Sequence, residues 1–162
     1  LGRPQAPKKE PASTVSSYST GSQAGSGGTG LSSQADRLYA ICKQISDAGS
    51  SYLYGGGHGP SLSSMHPSTR MDCSSSTSLA LYRAGLLQGH QTAIVSGEFA
   101  SSWGQRGQGK DFTVWANAGH VFIRFANGYE FNTAGHPGVS GPRLLKQRYD
   151  TTGFTPKHYP GL

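Results

Sequence analysis

Gly119-His120-Val121-Phe122-Ile123-Arg124-Phe125-Ala126-Asn127-Gly128-Tyr129-Glu130-Phe131-Asn132-Thr133 is the stretch whose reading decides the fold. Val121, Ile123 and Phe125 alternate with His120, Phe122 and Arg124, the period of a strand with two distinct faces. Tyr129 to Thr133 reads as its partner, joined through Ala126-Asn127-Gly128. Two registers are open. A two-residue Asn127-Gly128 turn sets Ala126 against Tyr129. It pairs Asn132 with Ile123 and puts Glu130 and Asn132 on the face of Val121, Ile123 and Phe125. A three-residue loop with Gly128 in the left-handed conformation shifts the pairing by one. Tyr129 and Phe131 then join the apolar face, and Asn132 pairs with Phe122, next to His120. Since the hydrophobic pattern sets register, the second is the expectation, and it brings His120 and Asn132 together.

Outward from the hairpin, Phe112 to Trp115 reads as a further strand, preceded by a Gly/Ser/Gln-rich stretch at 97–110. A helix is expected from near Ser33, with Ser33 and Asp36 as an Asp-bearing capping box. Ala35, Leu38, Ile41, Cys42 and Ile45 recur at helical spacing, and Gly49 ends the element. Cys42 on that stripe reads as a small buried hydrophobe. Residues 55–70 read as loop. A second helix is expected at Asp72 or Cys73, with Asp72 as N-cap and Gly85 closing it. Its Ser74-Ser75-Ser76 run implies a buried helix start that approaches a neighbour closely. From Ala134 the chain is rich in Gly and Pro. Helices followed by antiparallel strands make an α+β class, with the N-terminal helices packed on an antiparallel sheet.

The 162 residues divide unevenly. Residues 2–30 carry only Val15 and Tyr18 as sizeable apolar side chains among Pro, Lys, Ser, Thr, Gln, Gly and Ala. Such a stretch cannot bury enough apolar surface to offset its ordering entropy, so 1–30 is expected to be a flexible linker and 31–162 the folded domain. The chain starts at Leu1, which suggests a processed chain or a segment of a larger one. Formal net charge is +6. Arg3, Lys8, Lys9 and Glu10 place +2 of it in the linker, leaving +4 on the domain. A basic surface suits a polyanion, but no recognisable nucleic-acid motif is present. No stretch approaches the roughly 20 apolar residues that span a bilayer.

Cys73 and His120 carry the chemistry. A thiol at a helix N-terminus faces unpaired backbone N–H groups and the positive end of the dipole, which favour the thiolate and can hold an oxyanion. His120 supplies a base near neutral pH, and Asn132 is the polar group that would orient its ring. His58 and His66 lack the spacing of a common metal site, so no metal is expected. Trp103 and Trp115 read as core or rim rather than as sugar platforms.

These residues resemble the NlpC/P60 family of cell-wall peptidases. Its motifs have counterparts in Ser51-Tyr52-Leu53-Tyr54-Gly55-Gly56, in Asp72-Cys73-Ser74-Ser75, in Gly119-His120-Val121-Phe122-Ile123 and in Asn132. The resemblance covers roughly residues 33–133 and implies a papain-like core. It implies Cys73 as nucleophile, His120 as general base and Asn132 as orienting residue. Tyr52, Asp72 and Ser74 would line the substrate site. The implied substrate is the peptidoglycan stem peptide, cut between D-glutamate and diaminopimelate, with no cofactor. The implied location is extracellular, at the cell wall or on a virion, and the C-terminal segment resembles members from actinobacteria and their phages, some attached to phage tail proteins.

Three departures stand out: Ser75 replaces the family Gly, the Tyr52-to-Cys73 stretch is long enough for an extra loop at 58–69, and the usual Gly-Asp pair before the His strand is absent. Two other functions share the residues. One is an amidase or acyltransferase with the same Cys-His pair, and the other a non-catalytic wall-binding or phage structural module.

Overall fold

The structure, a computed structural model, describes residues 30–162. Apart from Gly30, the linker expected at 1–30 lies outside them. Helix α1 spans Ser33–Ala48. Its cap is Ser32, one residue ahead of the expected Ser33–Asp36 box: the Ser32 hydroxyl accepts from the Ala35 N–H at 3.3 Å. Gly49, at φ 70°, closes the helix as expected. Ala35, Leu38, Cys42 and Ile45 are buried along one stripe. Cys42 and Cys73 are both free and buried.

Helix α2 spans Cys73–Arg83 and is capped by Asp72. The cap is reciprocal: Asp72 accepts from the Ser75 N–H while the Ser75 hydroxyl accepts from the Asp72 N–H. Reciprocal capping satisfies two of the donors a helix start leaves open, each worth about 1 kcal/mol. At the other end Leu86 N–H reaches Leu81 O and Gly85 N–H reaches Tyr82 O, the pattern of a left-handed Gly stop. Every residue from Cys73 to Leu81 is buried, as the small-residue run implied.

Six strands form one antiparallel sheet: β1 Gln105–Arg106, β2 Phe112–Ala116, β3 Val121–Phe125, β4 Tyr129–Asn132, β5 Arg143–Lys146 and β6 Thr155–His158. Their spatial order is β1-β6-β2-β3-β4-β5. The fold is therefore α+β. Ile123 pairs with Phe131 and Arg124 with Glu130, the register of the three-residue loop. Gly128 sits at φ 94°, the left-handed conformation that loop requires. Val121, Ile123, Phe125 and Phe131 join the core with Leu38, Ile45 and Leu79 from the helices.

Four elements, one helix and three strands, lie in the Gly/Ser/Gln-rich stretch and the Gly/Pro-rich tail, where no helix or strand was expected. A short helix, α3, spans Ser96–Ser101, and β1 follows it. The Gly/Pro-rich tail supplies both β5 and β6, and Pro156 stands opposite Trp115 within a strand. Pro cannot donate to a ladder, so sequence alone argues against a strand there. The tail also covers the outer face of β3: Phe122 packs edge-on to Tyr149 at 5.4 Å and to Phe154 at 5.6 Å. No helix among the described residues is long and apolar enough to cross a membrane.

Candidate active site

The Cys73 position is built by the start of α2. Cys73 is the first helical residue and only 7% exposed. Its sulfur lies 3.6 Å from the Ser96 hydroxyl, at the first residue of α3. The main-chain N–H groups of Val121 and Ser74 lie near enough to favour its thiolate. Val121 is the residue after His120, so β3 brings the histidine's own strand onto the sulfur.

Burial pushes the Cys73 thiol up, and the neighbouring Asp72 charge adds to this, while the Ser96, Val121 and Ser74 donors pull the other way. The thiolate expected from the helix N-terminus is therefore not the resting state these surroundings favour. Desolvation outweighs the donors because the group is nearly closed off from water.

His120 precedes β3 and is half-buried. Its Nε2 lies 2.9 Å from Asn132 Oδ1. A carbonyl oxygen only accepts, so Nε2 carries the ring proton and Nδ1 is left with its lone pair. The ring packs against Tyr149 at 5.5 Å, Phe122 at 5.9 Å and Phe154 at 6.1 Å. That burial lowers the His120 pKa, while Asn132 and the charge of Glu130 act in the opposite direction.

Behind Asn132 stands a relay that the sequence reading missed. Asn132 Nδ2 donates to Glu130 Oε1 at 3.3 Å, and fully buried Glu130 is paired with Arg124 at 2.6 Å. Tyr149 N–H also donates to Glu130 Oε2 at 3.0 Å. A signal was present: the register chosen from the hydrophobic pattern places Glu130 opposite Arg124, an opposite-charge cross-strand pair on the His120 face.

Tyr52 sits beside Cys73. Burial, followed by the Cys73 and Asp72 charges, pushes its pKa up, while the Cys73 main-chain N–H acts in the opposite direction. The Tyr52 main chain is held at both ends, by Ser140 Oγ on its N–H at 2.8 Å and by Arg70 on its carbonyl at 2.8 Å.

Asp72 and Ser74 are placed next to Cys73, but their polar atoms are engaged within the protein. Asp72 Oδ2 accepts from Gly55 N–H at 3.1 Å, and Ser74 donates to Asp72 Oδ1 at 3.1 Å. His58 Nε2 lies 3.0 and 3.1 Å from the two Asp72 oxygens and 3.1 Å from Ser74 Oγ. His58 is thus the point at which the 55–70 loop clamps the start of α2, a role its weighing as a metal ligand did not anticipate. Asp72 is held below the usual carboxylate range: burial alone would raise it, but the Ser75 N–H and the His58 charge prevail.

Ser75 is fully buried and donates to Gly56 O at 2.7 Å. Its side chain packs against the Gly56-Gly57 turn. A Cβ on Gly57, at φ 81°, would lie 2.7 Å from Ser75. The loop can approach the helix this closely only because glycine stands there.

No protein-family model, curated protein or solved structure matches the chain.

Proposed function

We propose that the domain is a papain-like cysteine peptidase that hydrolyses an amide of the peptidoglycan stem peptide, of the D-glutamyl–diaminopimelate type. The observation that carries this reading is the pairing of His120 Nε2 with Asn132 Oδ1. It leaves Nδ1 as the free base on a residue whose successor, Val121, brings its main-chain N–H close to the Cys73 sulfur. The NlpC/P60 resemblance of the four motifs supplies the substrate class.

In this reading the Cys73 thiol and His120 imidazole are both neutral at rest. As the scissile carbonyl approaches, Sγ attacks its carbon and the thiol proton passes to His120 Nδ1. Asn132 steadies the imidazolium, with Glu130 behind it. The Cys73 backbone N–H and the Tyr52 hydroxyl are the donors this reading assigns to the oxyanion. Collapse breaks the C–N bond and His120 returns the proton to the leaving amine. Water, deprotonated by His120, then releases the acyl group from the thioester. The wall enzyme would act outside the cell or on a virion, within a larger chain or a phage tail assembly.

Mass spectrometry of purified peptidoglycan digested with wild type and with Cys73→Ala tests the proposal. New fragments from wild type alone support it, and their masses name the bond. No fragments from either protein, across walls of several chemotypes, would reject it in favour of a non-catalytic module.

A further inference from the structure

Ser96 opens α3, and its side chain behaves unlike the other serines at that helix. Ser101 donates to Gly97 O at 2.9 Å and Ser102 to Glu98 O at 3.1 Å, each bonding the local main chain. α3 starts without a side-chain cap, so Ser96 does not serve its own helix either. It is 6% exposed, and among the described residues its hydroxyl has one partner, the Cys73 sulfur at 3.6 Å. The position is built from α2. Ser78 is fully buried there, and its hydroxyl accepts from the Ile94 N–H at 3.1 Å and donates to the Ile94 carbonyl at 3.3 Å. Both main-chain polar groups of the residue two before Ser96 are thus tied to the helix that carries Cys73.

The energetics of that contact favour one state of the sulfur. A buried hydroxyl costs free energy unless its hydrogen bond is made. A neutral thiol is a weak acceptor, so Ser96 is poorly satisfied while Cys73 keeps its proton. A thiolate is a charged acceptor, and a hydrogen bond to a charged group is roughly twice as strong as a neutral one. The contact therefore strengthens as the sulfur gains charge, and weakens again once the sulfur is bonded to an acyl carbon. An interaction that grows only on the way to the reactive state raises rate rather than ground-state binding.

We propose that Ser96 is a catalytic residue of the Cys73 centre: its O–H donates to the sulfur as the thiolate forms, and again when the thiolate departs from the acyl group. The thiol proton passes to His120 Nδ1, while Ser96 keeps its own proton and forms no covalent bond. Its part in turnover rests on the cysteine-peptidase reading, whereas its effect on the thiol does not.

The test is read on the thiol, as the pH dependence of Cys73 alkylation by iodoacetamide in the full chain. Mass spectrometry of the Cys73 peptide keeps the other free cysteine, Cys42, out of the signal. The titratable groups around the sulfur are Asp72 beside it in the chain, Tyr52, and His120 just before Val121, and all of them remain in each variant. Ser96→Ala removes a donor that favours the thiolate, so the midpoint should rise by about one pH unit. Ser96→Thr retains the hydroxyl and should keep the wild-type midpoint. Far-ultraviolet circular dichroism should be unchanged in both. On peptidoglycan fragments Ser96→Ala should lower kcat/KM by about tenfold. An unmoved midpoint in a natively folded Ser96→Ala would overturn the proposal even if kcat/KM fell, since the hydroxyl would then act on substrate or on packing. So would a natively folded threonine variant that titrates like alanine. If wild type cleaves no peptidoglycan, the peptidase reading falls, while a raised midpoint in Ser96→Ala still establishes the bond from Ser96 to the thiolate.

Discussion

Asn132 Oδ1 meets His120 Nε2 at 2.9 Å, and the nitrogen of the same amide is held by Glu130 at 3.3 Å. The amide cannot flip without losing both contacts, so the imidazole tautomer is set from behind by a buried charge. Asn132→Ala should therefore lower kcat by about a hundredfold with KM little changed, the ring being misplaced but not removed. Wild-type kcat in that variant would refute the orienting role, whereas His120→Ala should be far more severe.

Glu130 is fully buried and is the partner of Arg124. Glu130→Gln leaves that guanidinium without its counter-ion in a low-dielectric setting. Stability should fall by about 3–5 kcal/mol, measured by urea unfolding. A loss under 1 kcal/mol would mean that water already screens the pair.

The pH profile follows from two opposite shifts. His120 lies below the usual imidazole range through burial, and Cys73 above the usual thiol range for the same reason. The base form of His120 is lost as pH falls through its lowered pKa, so the acid limb of kcat/KM should have its midpoint below about 6.5. The thiol keeps its proton through neutral pH, so the profile should stay flat well past pH 8 on the alkaline side. An acid midpoint above about 6.5 would contradict the buried-ring account.

His58 shares both Asp72 oxygens, and the Asp72 charge acts on Cys73. His58→Ala strips the carboxylate of a partner and leaves its field on the sulfur less compensated. The pH midpoint of Cys73 alkylation by iodoacetamide should move upward, with the far-ultraviolet circular dichroism unchanged. An unmoved midpoint would reduce His58 to a loop anchor.

Gly57→Ala meets both a left-handed backbone and a 2.7 Å contact with Ser75. It should cost about 1–3 kcal/mol and lower the melting temperature. Ser75→Gly costs stability by itself through the lost cap, so the two changes are compared in a double-mutant cycle: together they should cost less than the sum of the singles. Strict additivity would show that Ser75 is not the obstacle.

Local signals made much of the molecule legible. Asp72 before a run of small residues marked the start of the Cys73 helix, because a cap is chemistry between residues three apart. The alternation of Val121, Ile123 and Phe125 with a glycine loop set the hairpin register, and with it the meeting of His120 and Asn132, since a slip of one residue would turn the apolar set outward. Tertiary structure alone decided the rest. Tyr149 and Phe154 close over His120 from a Gly/Pro-rich tail that has no strand period, and β6 forms around Pro156 only because β1 and β2 flank it. His58 reaches Asp72 across a loop whose path no local pattern dictates. The protonation state of Cys73 belongs to this second group as well. Helix position argued for a thiolate and burial for a thiol, and burial is set by everything that packs around the sulfur, not by the residues beside it in the chain.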